Sequence, residues 1–326
     1  MRYAIIPGFA ALMCIAATLA LPVAAQEFPA KPVRLVLTFP PGGGSDAIAR
    51  PLAQRMSKSF GQQVVVDHRP GANGIVGLEH IALSPPDGYA LILTNVGPIA
   101  MNPGLNDKLP YDPVRSFSPI TLVGSAQYVL MVHPSMSVRT VKDFLAVARR
   151  RPGAVNYATS GVGSTPHLAG ELLKTLTGVD IVAVQYRGGG PALIAVISGQ
   201  VSMYFASMPS AMPHIQSGRL LGLAVTGAKR APAAPDIPTV AEAGVKDYEV
   251  DGWYGVMGPA GMDPARVSRI GAVIHEALQA PELREQFGKQ GIDVNISTPE
   301  QFGNYIRQEI GKWSKVIRAA GIKPDA

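Results

Sequence analysis

Short β-rich runs alternate with helical patterns along almost the whole of this 326-residue chain, and that alternation constrains the fold more than any other feature. Val33–Phe39, Val64–Val66, Leu91–Thr94, Ile120–Val123 and Tyr128–Val132 read as strands. So do Ile181–Tyr186, Val201–Ala206, Leu220–Thr226 and Trp253–Met257. Parallel strands need crossover connections, so the pattern predicts an α/β protein with helices on the faces of parallel sheets. The helix after the first strand carries Ile48, Leu52, Met56 and Phe60 at spacings of four, one buried stripe, and Pro51 is expected to bend it. The last helix opens on Thr298-Pro299-Glu300-Gln301, a capping-box pattern with proline at the first helical position. Its Phe302, Ile306, Ile310, Trp313 and Ile317 read as core.

Two zones read as crossings between domains. In Gly124–Pro134 a strand ends, a polar step intervenes and another strand begins; the proline-rich Lys229–Pro238 is the second. The expected organisation is one lobe from residues 26–124 and 229–326 and a second from 125–228, both α/β, with a hinge and a cleft between them.

Ahead of the first strand stands a leader pattern. Arg2 and the apolar run Ala10–Leu21 precede Pro22-Val23-Ala24-Ala25, which predicts a signal peptide over residues 1–25, cut before Gln26. The run is shorter than the roughly 20 residues a bilayer span needs. Cys14, the only cysteine, falls inside it, so the mature chain is expected to have no disulfide and no thiol chemistry. Removing the leader removes only Arg2 from the charged residues and takes the formal charge from +6 to +5. That excess is dispersed. Arg149-Arg150-Arg151 ends a helical pattern just before Pro152, where cations complement the helix dipole, and no nucleic-acid partner is expected.

Three strand-to-helix turns share one chemistry: converging backbone N–H groups at a helix N-terminus, which favours an anion. The first holds Pro41, Gly42, Gly43, Gly44, Ser45 and Asp46; the second holds Ser160, Gly161, Gly163, Ser164, Thr165 and His167; the third holds Arg187 and Gly188. Asn95 and Ser207, each just past a strand run, complete the candidate set. In doubly wound folds such positions gather at the carboxyl ends of the strands, where ligands bind. Gly43 is expected to be the point where an added side chain obstructs the ligand. A rival reading exists: Gly42–Ala47 fits the dinucleotide fingerprint G-x-G-x-x-G/A, and Asp67 sits where a ribose-binding acid would, which would make the chain an NAD(P)-dependent oxidoreductase. The leader and the stiff Pro40-Pro41 count against it. No G-x-S-x-G elbow occurs, and His68, His80, His133, His167, His214 and His275 show no metal-ligand spacing, so neither catalytic residues nor a metal site are expected.

Six motifs in combination carry a family resemblance. They are Phe39-Pro40-Pro41-Gly42-Gly43-Gly44-Ser45-Asp46…Ala49-Arg50, Arg69-Pro70-Gly71-Ala72-Asn73-Gly74…Gly77, and Pro86-Asp87-Gly88-Tyr89. There follow Tyr157-Ala158-Thr159-Ser160-Gly161…Gly163-Ser164…His167-Leu168-Ala169, Tyr186-Arg187-Gly188…Pro191-Ala192, and Pro238-Thr239…Glu242-Ala243-Gly244. Across its mature length the chain resembles the extracytoplasmic receptors of tripartite tricarboxylate transporters, the Bug-type proteins. The resemblance implies a type II periplasmic-binding fold of two doubly wound lobes and a periplasmic location. It also implies capture of a small organic carboxylate for a membrane permease, by a monomer without cofactor or catalysis. It implies that backbone amides, hydroxyls and water from the loops matching Pro41–Asp46 and Ser160–His167 hold the carboxylate.

Overall fold

The computed structural model describes residues 28–319 and 321–322, and the leader expected over residues 1–25 lies outside them. Among the described residues ten strands form one continuous sheet. They are β1 (Val33–Leu37), β2 (Val64–His68), β3 (Ala90–Asn95), β4 (Phe117–Val132), β5 (Val155–Thr159), β6 (Ile181–Gln185), β7 (Met203–Ser207), β8 (Leu221–Val225), β9 (Asp251–Pro259) and β10 (Ile292–Asp293).

The pairing resolves this sheet into two lobes of the same design. In the first, β1 lies parallel between β2 and β3, β3 pairs antiparallel with β9, and β9 pairs antiparallel with β4. In the second, β5 lies parallel between β6 and β7, β7 pairs antiparallel with β4, and β4 pairs antiparallel with β8. Each lobe therefore has three parallel strands, one antiparallel strand that enters from the other lobe, and a final strand. The strands that change lobe are β4 and β9.

The strand break expected within Gly124–Pro134 is absent. The runs at Ile120–Val123 and Tyr128–Val132 belong to one 16-residue strand, β4. Its polar step, Gly124-Ser125-Ala126-Gln127, stays paired with Tyr254, Trp253, Gly252 and Asp251 of β9, and pairing with β7 starts at Tyr128. The chain changes lobe inside a strand. The segment expected as the second crossing is followed by further contacts with β8 and with the helix Thr165–Thr177. After β8 the chain remains with the second lobe: Val240 N donates to Val225 O at 2.9 Å, and the Tyr248 hydroxyl donates to Ala169 O at 3.0 Å. Val250 N then donates to Thr226 O at 2.9 Å, and β9 starts at Asp251.

The helical stripes are buried as expected. Ile48, Leu52, Met56 and Phe60 of the helix Gly44–Phe60 join the core with Ile270, Ile274 and Leu278 of the helix Pro264–Gln279. Burying side chains of this size contributes about 1.5–3 kcal/mol each. Pro51 lies within the first of these helices without ending it. In the last helix, Pro299–Ala319, the capping box closes: Gln301 N donates to Thr298 Oγ1 at 3.1 Å, and Thr298 N donates to Gln301 Oε1 at 2.9 Å. Phe302, Ile306, Trp313 and Ile317 are buried, with Ile310 packed against them. The indoles of Trp253 and Trp313 both donate to the buried Glu309 carboxylate, at 3.0 and 3.1 Å, which ties this helix to β9.

Candidate ligand site between the lobes

The two-lobe design aims the carboxyl ends of the parallel strands at one cleft. Four helices begin there: Gly44–Phe60 after β1, Thr165–Thr177 after β5, Gly189–Ile197 after β6 and Met208–Gln216 after β7. None has its first turn closed by a side chain. Elsewhere the helices Val141–Arg150 and Pro264–Gln279 are closed by Thr140 and Asp263, whereas Ile75–Ala82 and Pro281–Lys289 are not closed by a side chain. A helix start leaves its first N–H groups without partners, and here they face a cavity.

Ser164 makes the point most sharply. It occupies the N-cap position of Thr165–Thr177, where a serine hydroxyl ordinarily accepts from its own helix. Its hydroxyl instead makes no hydrogen bond, although the residue is only 1% exposed and lines the cavity. A buried polar group left without a partner costs about 1–3 kcal/mol, so such a group marks a place where a ligand completes the bonding.

The inner cavity is small, about 40 Å³, enough for a carboxylate or a water or two. Eight of the residues singled out in the sequence line it: Gly43, Gly44, Ser45, Asn95, Ser160, Ser164, Thr165 and Ser207. Asn95 Nδ2 donates to Ser45 Oγ at 3.3 Å, and its Oδ1 accepts from Gly97 N at 3.2 Å. Gly97 opens a short π-helical segment, Gly97–Met101, a geometry that recurs at functional sites. The cavity opens on a larger chamber of about 1060 Å³ that shares Phe39, Pro40 and Ser160 with it, and Gly161 and Arg187 stand in that chamber.

The other candidates lie behind these walls. Pro41, Gly42 and Asp46 do not line the inner cavity. Asp46 Oδ2 accepts from Gly42 N at 3.2 Å and from Arg50 Nε at 2.9 Å, and its Oδ1 stands 3.1 Å from His68 Nε2. Its carboxylate thus braces the first turn from outside the cavity. His167 Nδ1 accepts from Gly163 N at 3.1 Å, so both residues shape the second turn from within. Gly188 packs on Pro40: a Cβ there would lie 2.5 Å from Pro40 Cδ. Similarly, a Cβ on Gly190 would lie 2.5 Å from Pro41 O, so the first and third turns close against each other across the cleft.

Against the protein itself, the tight position in the first turn is Gly44. Gly43 has φ −93 and ψ 179, open to any residue, and a Cβ there makes ordinary 3.9 Å contacts. A Cβ on Gly44 would collide with the Ser207 hydroxyl and stand 2.6 Å from the Tyr254 hydroxyl.

Sequence reasoning missed the cavity's aromatic floor. Tyr128 of β4, Tyr204 of β7 and Tyr254 of β9 are buried and line it. The Tyr128 hydroxyl interacts with Thr165 and Tyr254, that of Tyr204 with Ser160, and that of Tyr254 with Ser207. Burial pushes all three phenols above their ordinary pKa, so they stay neutral donors. No acidic side chain lines the inner cavity or the chamber among the described residues, and Arg187 is the one charged group in either.

Residues 48–322 match the tripartite tricarboxylate transporter family receptor. The chain belongs to that family. Its members are periplasmic solute receptors rather than enzymes, which sets the dehydrogenase alternative aside; Asp67 here is paired with Arg69 at 3.0 Å. The receptor is 37% identical over 308 residues to protein BugT of Bordetella pertussis, covering 94% of each chain. Among solved structures it is similar to Rpa4515 of R. palustris with adipate, at 35% identity and a TM-score of 0.89 over 91% of this chain and 100% of that one. It is also similar to MatC of Rhodopseudomonas palustris with bound malate, at 28% identity and a TM-score of 0.85 over 89% and 100%. These likenesses bear out the expected fold, a periplasmic-binding type with two doubly wound lobes.

Proposed function

We propose that this receptor seats the carboxylate of a small organic acid in the inner cavity, closes its lobes over it, and delivers it to the membrane permease of a tripartite transporter. The observation that carries this reading is the unpartnered Ser164 hydroxyl among four uncapped helix starts. The donors are the N–H groups and hydroxyls of Gly43, Gly44, Ser45, Ser160, Ser164, Thr165 and Ser207, with the Asn95 amide beside them. The adipate and malate held by the two similar structures are acids, in keeping with an anion at this place. Among the described residues one lobe comprises residues 28–126 and 251–322, the other 127–250, and β4 and β9 are the hinge. The protein acts as an exported monomer, cleaved after Ala25, and needs no cofactor.

The test begins with protein denatured and refolded to strip any carried ligand. A thermal-shift screen of organic acids, each beside its primary amide, should stabilise the receptor with at least one acid and with none of the amides. Calorimetry should then give micromolar affinity or better, about −8 kcal/mol or more favourable, and no binding of NAD or NADP. Saturable dinucleotide binding lost on changing Asp67 would overturn the reading. Intact-mass measurement of periplasmic protein should show a chain beginning at Gln26.

A further inference from the structure

The chamber outside the inner cavity speaks to the rest of the ligand. The inner cavity, at about 40 Å³, takes only the head group. The chamber, at about 1060 Å³, is of the size that encloses a whole small molecule. The two share Phe39, Pro40 and Ser160, so a ligand anchored by its head projects its body into the chamber.

The chamber walls are mostly apolar: Pro40, Pro70, Ile75, Leu105, Val162 and Pro191 stand around it. Much of the polar wall is already spoken for. Asn73 Nδ2 donates to Asn102 Oδ1 at 2.7 Å, and Asn102 Nδ2 donates back to Asn73 O at 3.2 Å. This reciprocal pair fixes both amide orientations and leaves Asn73 Oδ1 as an acceptor without a partner. Such an oxygen accepts one hydroxyl or N–H, but it does not neutralise an ammonium. No Asp or Glu lines the chamber among the described residues, so an ammonium there would be desolvated without a counter-charge. Arg187 is the sole cation and is exposed, so an anion meeting it gains little over water.

We infer that the ligand is a carboxylate with a predominantly apolar body, aliphatic or aromatic, carrying at most one donor for Asn73 Oδ1, and is neither an amino acid nor a tricarboxylate. This rests on the carboxylate reading above. Selectivity comes from Val162, Leu105 and Ile75, which exclude water from the body, and Arg187 is not a second anchor. Each methylene buried against these walls raises affinity roughly fourfold, whereas a second or third carboxylate must shed its water without compensation.

Calorimetry on the refolded, ligand-free receptor with hexanoate, phenylacetate, adipate, citrate and glutamate tests this. Hexanoate or phenylacetate should bind at least tenfold more tightly than citrate and glutamate, and adipate no more than tenfold more tightly than hexanoate. Val162→Asp, a half-buried wall position, should weaken the better apolar acid at least tenfold, and Arg187→Ala should change it less than threefold. Citrate or glutamate matching the apolar acids overturns the inference and leaves the carboxylate reading standing. So does adipate exceeding hexanoate by more than tenfold with that advantage lost in Arg187→Ala. Failure of all five acids, with neutral amides binding instead, overturns both.

Discussion

At the scale of single residues, Ser164 and Gly44 separate two ways of holding an anion. Ser164→Ala removes one hydroxyl whose net worth is about 0.5–1.5 kcal/mol, or up to roughly 3 against a charge, so carboxylate affinity should fall about tenfold with melting unchanged. Gly44→Ala adds one methyl group where the Ser207 and Tyr254 hydroxyls already sit, and should abolish binding in a protein that still melts cooperatively. If Gly44→Ala binds normally and Arg187→Ala does not, a guanidinium holds the ligand and the cradle of neutral donors is wrong. The glycine-rich turns and their serines were legible because only small residues and hydroxyls suit a backbone grip. Which glycine bears the close approach was not, since that depends on Ser207 and Tyr254, far away in the chain. For the same reason Tyr128, Tyr204 and Tyr254 read simply as strand residues; only the convergence of three strands makes their hydroxyls a floor.

At the scale of elements, β4 and β9 do what a pair of linkers was expected to do. Gly124-Ser125-Ala126-Gln127 has none of the β-branched residues that announce a strand, yet β9 holds it in register, so the sequence read as two strands with a break. The strand Val155–Thr159 was absent from the expected set for a related reason. It is five residues long, and its place between β6 and β7 is a tertiary fact. The helices were easier, because stripes and caps are local. The crossing also carries a titration. Burial, with Glu249, Glu309 and Asp293 nearby, pushes the Asp251 carboxyl above its ordinary pKa, and Lys312 acts the other way. A group whose pKa is raised by folding stabilises below its unfolded value, and that contribution is lost as pH rises through the folded value. Asp251→Asn should therefore melt higher than the wild type near pH 7, with the gap closing as pH falls toward about 4. Scanning calorimetry across that range checks it; a gap independent of pH would show that another interaction of Asp251 dominates.

At the scale of the whole molecule, the first and third turns meet across the cleft, Pro40 and Pro41 against Gly188 and Gly190. On the proposed reading, opening separates these contacts while β4 and β9 stay paired, a hinge at two strands with both lobes intact. Ligand contacts from both lobes exist only when closed, and binding therefore shifts the population toward that state. Small-angle scattering should show a smaller radius of gyration for the liganded receptor than for the refolded, ligand-free one. The central claim is narrower: the carboxylate is gripped by neutral N–H and O–H donors in place of a cation. The most direct measurement is a calorimetric titration of the best acid from the screen, and of its primary amide, at low and at high salt. A grip without an ion pair predicts that the acid's affinity changes less than threefold between the two salts, while the amide fails to bind at either. A tenfold or greater loss in high salt, or an amide that binds as tightly as the acid, would contradict the account.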